Sequence, residues 1–174
     1  SLNLGYNKIG PSAIDSLCNY IDNIDCNLEH LDLEANCLGN RLVNLVLSKI
    51  NDKIASQMKY LNFAQNNLND DVAPEFAVIG RKCEHLQVLI LYQNHFKNFG
   101  MSLIMSELKN HCHLKFLDIS WNLIGTNLNE ELPTRDELLK CSKDPKKVFN
   151  NAELEELKIK MEYPKVSLLK KSVS

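Results

Sequence analysis

Asn7, Asn36, Asn66, Asn94 and Asn122 stand 29, 30, 28 and 28 residues apart, and each closes a segment in which leucine recurs at fixed spacing. The segments run Leu2 to Asn7, Leu28 to Asn36, Met58 to Asn66, Leu86 to Asn94 and Leu114 to Asn122. All follow Leu-x-x-Leu-x-Leu-x-x-Asn, the first only in part, with Met58, Phe63 and Ile119 taking the place of leucine. A chain that repeats one unit at that period is a stack of copies, each leaning on its neighbours, rather than a domain folded around one centre.

Each residue type in the pattern has a physical task. Residues two apart on a strand share a face, so Leu31 and Leu33, or Leu89 and Leu91, point into one interior and the residues between them face out. Strands at Leu31, Leu61, Leu89 and Leu117 are expected to pair successively in parallel. The asparagine falls where the backbone turns away. Its side chain offers donors and an acceptor to backbone groups that would otherwise be buried unpaired. Between the strands the apolar residues switch to the helical period: Ile14, Leu17, Cys18 and Ile21; Leu42, Val46, Ile50 and Ile54; Val72, Phe76 and Ile79; Met101, Ile104, Met105 and Leu108. Pro11 and Pro74 suit the first turns of their helices, where no amide hydrogen is needed, and Asp70 or Asp71 can cap the third helix.

These motifs, above all Leu117-Asp118-Ile119-Ser120-Trp121-Asn122 and Leu2-Asn3-Leu4-Gly5-Tyr6-Asn7-Lys8-Ile9-Gly10, resemble the long, helix-containing leucine-rich repeats of the ribonuclease-inhibitor type. The resemblance covers roughly residues 1 to 125. It implies an α/β leucine-rich-repeat solenoid, a right-handed horseshoe with a concave parallel sheet and convex helices, acting inside the cell as a protein-binding surface. Proteins of this type include ribonuclease inhibitor, the sensor arms of nucleotide-binding immune receptors, the Ran GTPase activator, tropomodulin and several ciliary and axonemal proteins. Likeness of fold leaves the individual task open.

The organisation expected is five repeats over 1–125, the first truncated at its N-terminus, followed by an insertion and tail over 126–174. Ser1 lies inside a strand, so the array is expected to continue before it or to be covered there by a partner. The next leucine-spaced segment begins at Leu154, 40 residues after Leu114, and lacks the asparagine. It reads as a terminal strand over 153–160, with a helix as the other reading because Glu, Leu and Lys favour one. Within the insertion Thr134-x-x-Glu137 is a capping box, and Lys143, Lys146 and Lys147 around Asp144-Pro145 read as a solvated turn. Pro164 to Ser174, with Lys165, Lys170 and Lys171, reads as an irregular extension or a docking segment.

A formal net charge of −2 with 24% charged residues gives no drive towards nucleic acid or an anionic membrane. No apolar run approaches the roughly 18 residues of a membrane helix. Lysine outnumbers arginine 17 to 3, and the 21 asparagines include no Asn-x-Ser/Thr triplet, which suits a chain that is never glycosylated and an AT-rich genome such as many protists have. The six cysteines, Cys18, Cys26, Cys37, Cys83, Cys112 and Cys141, show no Cys-x-x-Cys pair and read as free thiols in a reducing compartment. A metal among Cys83, His85, His111, Cys112 and His113 is conceivable, but zinc ligands come as closely spaced pairs, and no metal or cofactor is expected.

Function is expected on the outward sheet face. Its columns read His30, Tyr60, Val88, Phe116; then Asn3, Asp32, Asn62, Ile90, Asp118; then Gly5, Glu34, Ala64, Tyr92, Ser120. Tyr60, Val88, Ile90, Tyr92 and Phe116, with Trp121 at the strand exit, form an apolar patch with Asp32 and Glu34 as its acidic rim, the composition of a protein-binding hot spot. Covering of backbone by Trp121 and Tyr92, or of the patch by the tail, would give the same sequence. No phosphate loop, nucleophile elbow or His-Glu-x-x-His motif is present, so no catalytic residue is assigned. The chain therefore reads as a non-catalytic scaffold in a hetero-complex of one or more proteins, in the cytoplasm and preferably at a cilium, axoneme or other cytoskeletal assembly. A regulator of a small GTPase, using the acidic rim and exposed asparagines such as Asn62, is the second reading, and an immune-type sensor arm the third. The only arginines, Arg41, Arg81 and Arg135, lie off the sheet face, so a GTPase regulator of this kind would lack an arginine finger.

Overall fold

The computed structural model describes residues 1–23, 25–109 and 111–125, together with the backbone of Lys158–Lys160. Six short strands form one open, wholly parallel sheet in chain order: β1 (Leu2–Asn3), β2 (His30–Asp32), β3 (Tyr60–Asn62), β4 (Val88–Ile90), β5 (Phe116–Asp118) and β6 (Lys158–Lys160). Register follows the repeat: Leu31 lies opposite Leu61, Leu61 opposite Leu89, and Leu89 opposite Leu117. Backbone pairing continues past the strand ends, as Leu33 N donates to Asn62 O at 2.9 Å and Ala35 N to Ala64 O at 2.9 Å. A slip of one residue would turn every leucine to the other face, so the core itself holds this register.

The connecting helices are α1 (Pro11–Ile21), α2 (Gly39–Ser48), α3 (Asp52–Gln57), α4 (Ala73–Lys82) and α5 (Asn98–Leu108), with a 3-10 turn at Asp70–Val72 leading into α4. Their buried residues join the strand leucines in one continuous core. At its centre Phe76 of α4 meets Phe63 and Phe96 edge to face, with ring centroids 5.4 and 6.0 Å away, a preferred aromatic geometry. Pro11 and Pro74 occupy the first turns of α1 and α4. The stripe Ile14, Leu17, Cys18 and Ile21 is buried throughout, as are Val72, Phe76 and Ile79.

Three local expectations need correction. The second stripe does not lie on one helix: Asn51 interrupts it, its side chain accepting from Ile54 N at 3.0 Å to cap a separate α3. Val43 and Leu47 then fill the core beside Val46, while Leu42 is only partly buried, as is Met105 in the fourth stripe. The third helix is capped by neither aspartate, because Asn69 accepts from Asp71 N at 2.9 Å. Asp70 instead reaches into the next repeat and accepts from Lys97 N at 2.7 Å, at the N-cap of α5. Gly100 permits this, since a Cβ there would collide with the Asp70 side chain.

Of the strand expected over 153–160, Lys158–Lys160 are described, adding to β5 with Ile159 opposite Leu117. Residues 126–157, the capping box at Thr134, Cys141 and the tail after Pro164 lie outside the described residues. Cys18, Cys26 and Cys83 are buried free thiols, and Cys37 and Cys112 are exposed ones. No helix among the described residues is long and apolar enough to cross a membrane.

Candidate functional site

The exits of the strands are held by a ladder of asparagines that ties each repeat to the one before. Asn94 Nδ2 donates to Phe63 O at 3.0 Å in the preceding repeat and to Leu91 O at 3.1 Å in its own, while its Oδ1 accepts from Asn66 N at 3.1 Å and Leu68 N at 3.0 Å. Asn36, Asn66 and Asn122 repeat the scheme, with Nδ2 donating at 2.8, 2.9 and 2.9 Å to Leu4 O, Leu33 O and Leu91 O. All four are buried. The residue before each asparagine takes a left-handed backbone: Tyr6, Ala35, Gln65, Gln93 and Trp121 have φ of 60, 54, 54, 50 and 58°. None is glycine or asparagine, and the surrounding hydrogen bonds hold a conformation that side-chain-bearing residues avoid.

A second ladder stiffens the outward face. Asn3 Oδ1 accepts from Gly5 N at 2.9 Å, and Asp32, Asn62 and Asp118 each accept, through Oδ1, from the amide two residues on at 3.0 Å. Such Asx turns satisfy backbone just where the strands end. Ile90 occupies the same column in β4 and offers no acceptor. Repeat four therefore presents Ile90 where its neighbours present the hydrogen-bonding side chains of Asn62 and Asp118.

The structure brings the expected patch together, though less exposed than its sequence suggested. Tyr60, Val88 and Phe116 lie directly opposite one another on β3, β4 and β5, and Ile90 lies between Asn62 and Asp118. All of these apolar residues, and Tyr92, are half-buried, whereas Trp121 is 53% exposed on its left-handed turn. The third column does not wholly face out: Ala64 and Ser120 are buried, because the backbone is already turning at those positions.

Asp32 and Glu34 are not a freely solvated rim. Asn62 Nδ2 donates to Asp32 Oδ2 at 3.2 Å and to Glu34 Oε2 at 3.0 Å, Tyr60 Oη to Asp32 at 3.4 Å, and Tyr6 Oη to Glu34 at 2.5 Å. The hydrogen bond to Glu34, and its charge, raise the Tyr6 phenol above its ordinary value. Burial, then the charge of Asp32, does the same to Tyr60. Asn62 is 2% exposed with its amide committed, so the exposed asparagine that a GTPase-regulating face would use is absent there. Sequence reasoning missed Tyr6 as a member of this network. The signal existed, since Tyr6 occupies in the first repeat the place of Trp121 in the fifth.

At the opposite, strand-entry edge, His111 Nε2 lies 2.7 Å from Cys83 O, His113 Nδ1 2.9 Å from Glu84 O, and the His85 and His113 rings are 4.9 Å apart. Burial pushes the Cys83 thiol up to about 12, which keeps it protonated. Among the described residues no group of three or more His, Cys, Asp or Glu side chains is placed to hold a metal ion.

A parallel sheet of registered repeats, each ended by an asparagine of a shared ladder, fits the arrangement expected of leucine-rich repeats. A family model described as Leucine Rich repeat matches residues 1–18 and 110–127, covering the first and fifth repeats, and supports a leucine-rich-repeat protein. Such domains generally mediate protein–protein interaction and are generally non-catalytic. No curated protein matches the chain.

Proposed function

We propose that this chain is a non-catalytic scaffold whose outward sheet face binds another protein through Tyr60, Val88, Ile90, Tyr92, Phe116 and Trp121, with Asp32 and Glu34 beside them. One observation carries the reading: Ile90 interrupts a column in which Asn3, Asp32, Asn62 and Asp118 all hydrogen-bond the strand exit. Giving up a backbone hydrogen bond worth about 1 kcal/mol for a half-exposed isoleucine serves apolar contact with something outside the repeat. In this reading the array is a horseshoe of the ribonuclease-inhibitor type, with residues 1–125 as its repeats and 126–174 as an appended segment. The repeat length and the lysine- and asparagine-rich composition support a cytoplasmic, axonemal or other cytoskeletal hetero-complex.

The test separates stability from binding at one residue. Ile90→Asn restores the missing acceptor, so its unfolding midpoint should equal or exceed that of the wild type, while recovery of partners from native extract falls at least about tenfold. Tyr92→Ala should lose the same partners. Equal recovery by wild type, Ile90→Asn and Tyr92→Ala would move binding to the helices or the tail. A GTPase recovered by wild type, and hydrolysing faster in its presence, would instead establish the regulator reading.

A further inference from the structure

We infer that the segment recognised by this face is basic as well as apolar: a lysine or arginine seats on Asp32 and Glu34 while an apolar side chain about 10 Å away seats on Ile90 and Tyr92. The inference rests on the sheet-face reading above and adds the chemistry of the partner. Its first support is charge that no described residue compensates. The described ion pairs, Lys49 with Asp22, Lys59 with Glu29, Arg81 with Glu107 and Lys82 with Asp52, all lie elsewhere. Asp32 and Glu34 are half-buried on one strand line, share the amide of Asn62, and among the described residues meet no lysine or arginine. A tyrosine amide network holds the two carboxylates in place but neutralises neither.

The second support is the wall around them. Tyr60 and the 69% exposed Tyr6 are both anchored by their hydroxyls to these carboxylates, leaving aromatic rings at the margin of the anionic site. Rings so placed favour a cation over a neutral donor, and a guanidinium can meet two carboxylates at once. The third support is the distance. Asp32 is on β2 and Ile90 on β4, two strand spacings apart, or about 10 Å. That span matches about three residues of an extended peptide or about seven of a helix.

Random peptides displayed on phage are selected against the wild-type chain, then synthesised and titrated against wild type, Tyr92→Ala and the double variant Asp32→Asn with Glu34→Gln. The double variant keeps the fold, because asparagine already serves at the same column position in Asn3 and Asn62. The expected peptides carry lysine or arginine at one of those two spacings from a bulky apolar residue, and weaken at least about tenfold on the double variant and with rising salt. Peptides that need Tyr92 but bind the double variant as tightly as wild type overturn the cation assignment and leave the sheet-face reading standing. Peptides indifferent to both variants, or a selection that yields none, overturn both. Displacement of the selected peptides by a synthetic peptide of residues 164–174 would assign the site to the chain's own tail, and dimerisation abolished by Tyr92→Ala would assign it to a second copy. Either result replaces the outside partner inferred here.

Discussion

Asn94 shows how much one side chain can carry in a repeat array. Its amide meets the carbonyls of Phe63, Leu91 and Tyr92, and its oxygen meets the amides of Asn66 and Leu68, all at 3.0 to 3.3 Å. Alanine would leave these buried backbone groups without partners and without room for bulk water. Asn94→Ala should therefore lower stability by about 3 kcal/mol, measured as a shift of the urea midpoint at unchanged slope. The same deletion at Asn7, which is exposed and whose side-chain amide donates to Gly5 O at 2.8 Å, should cost well under half as much. Equal losses at the two positions would show that the ladder is not where the stability lies.

At the scale of elements, helices and strands are joined at their ends by contacts that skip a repeat length. His111, leading into β5, holds Cys83 at the end of α4 through Nε2, while its Nδ1 is buried without a hydrogen-bond partner among the described residues. Protonation would place a charge and a new donor at that buried nitrogen. Burial accordingly pulls the His111 pKa below its ordinary value, although the Cys83 carbonyl opposes the change; His113 and His85 lower it further. The sign follows from linkage: the folded state binds this proton less readily than the unfolded one, so its contribution is whole above the unfolded value of about 6.5 and is lost as pH falls through the depressed folded value. Wild type should thus lose more stability than His111→Gln between about pH 7.5 and about pH 5.5 in parallel urea titrations. Identical pH slopes would remove His111 from the account.

Among the described residues the repeats form a stack in which each unit meets its neighbours, and this governs how damage should spread. Ile14 is fully buried in α1, the helix between β1 and β2, at the other end of the array from α5. Ile14→Ala should open the amides of β1 and β2 to hydrogen exchange before those of β4 and β5. Uniform loss of protection across all these strands would mean that the array unfolds as one unit. The same one-dimensional plan makes the outward face a preassembled set of columns. Affinity can then be altered by side chains such as Ile90 and Tyr92 without disturbing the leucine side of the sheet.

The repeat period, the strand positions, the parallel order and most of the buried stripes were legible in the sequence, because alternation at two and recurrence near four are properties of a single segment. So was the role of the asparagines, since five copies in register disclose a shared task. What only the tertiary structure decided lies between repeats. Nothing in Ala35, Gln65 or Gln93 announces a left-handed turn; the ladder from the neighbouring asparagine imposes it. Nothing local tells that Asp70 caps the following helix, that Asn62 is buried between two carboxylates, or that Tyr6 anchors Glu34. Each of these depends on a partner nearly one full repeat away, whose distance is set by strand pairing and not by the residues on either side.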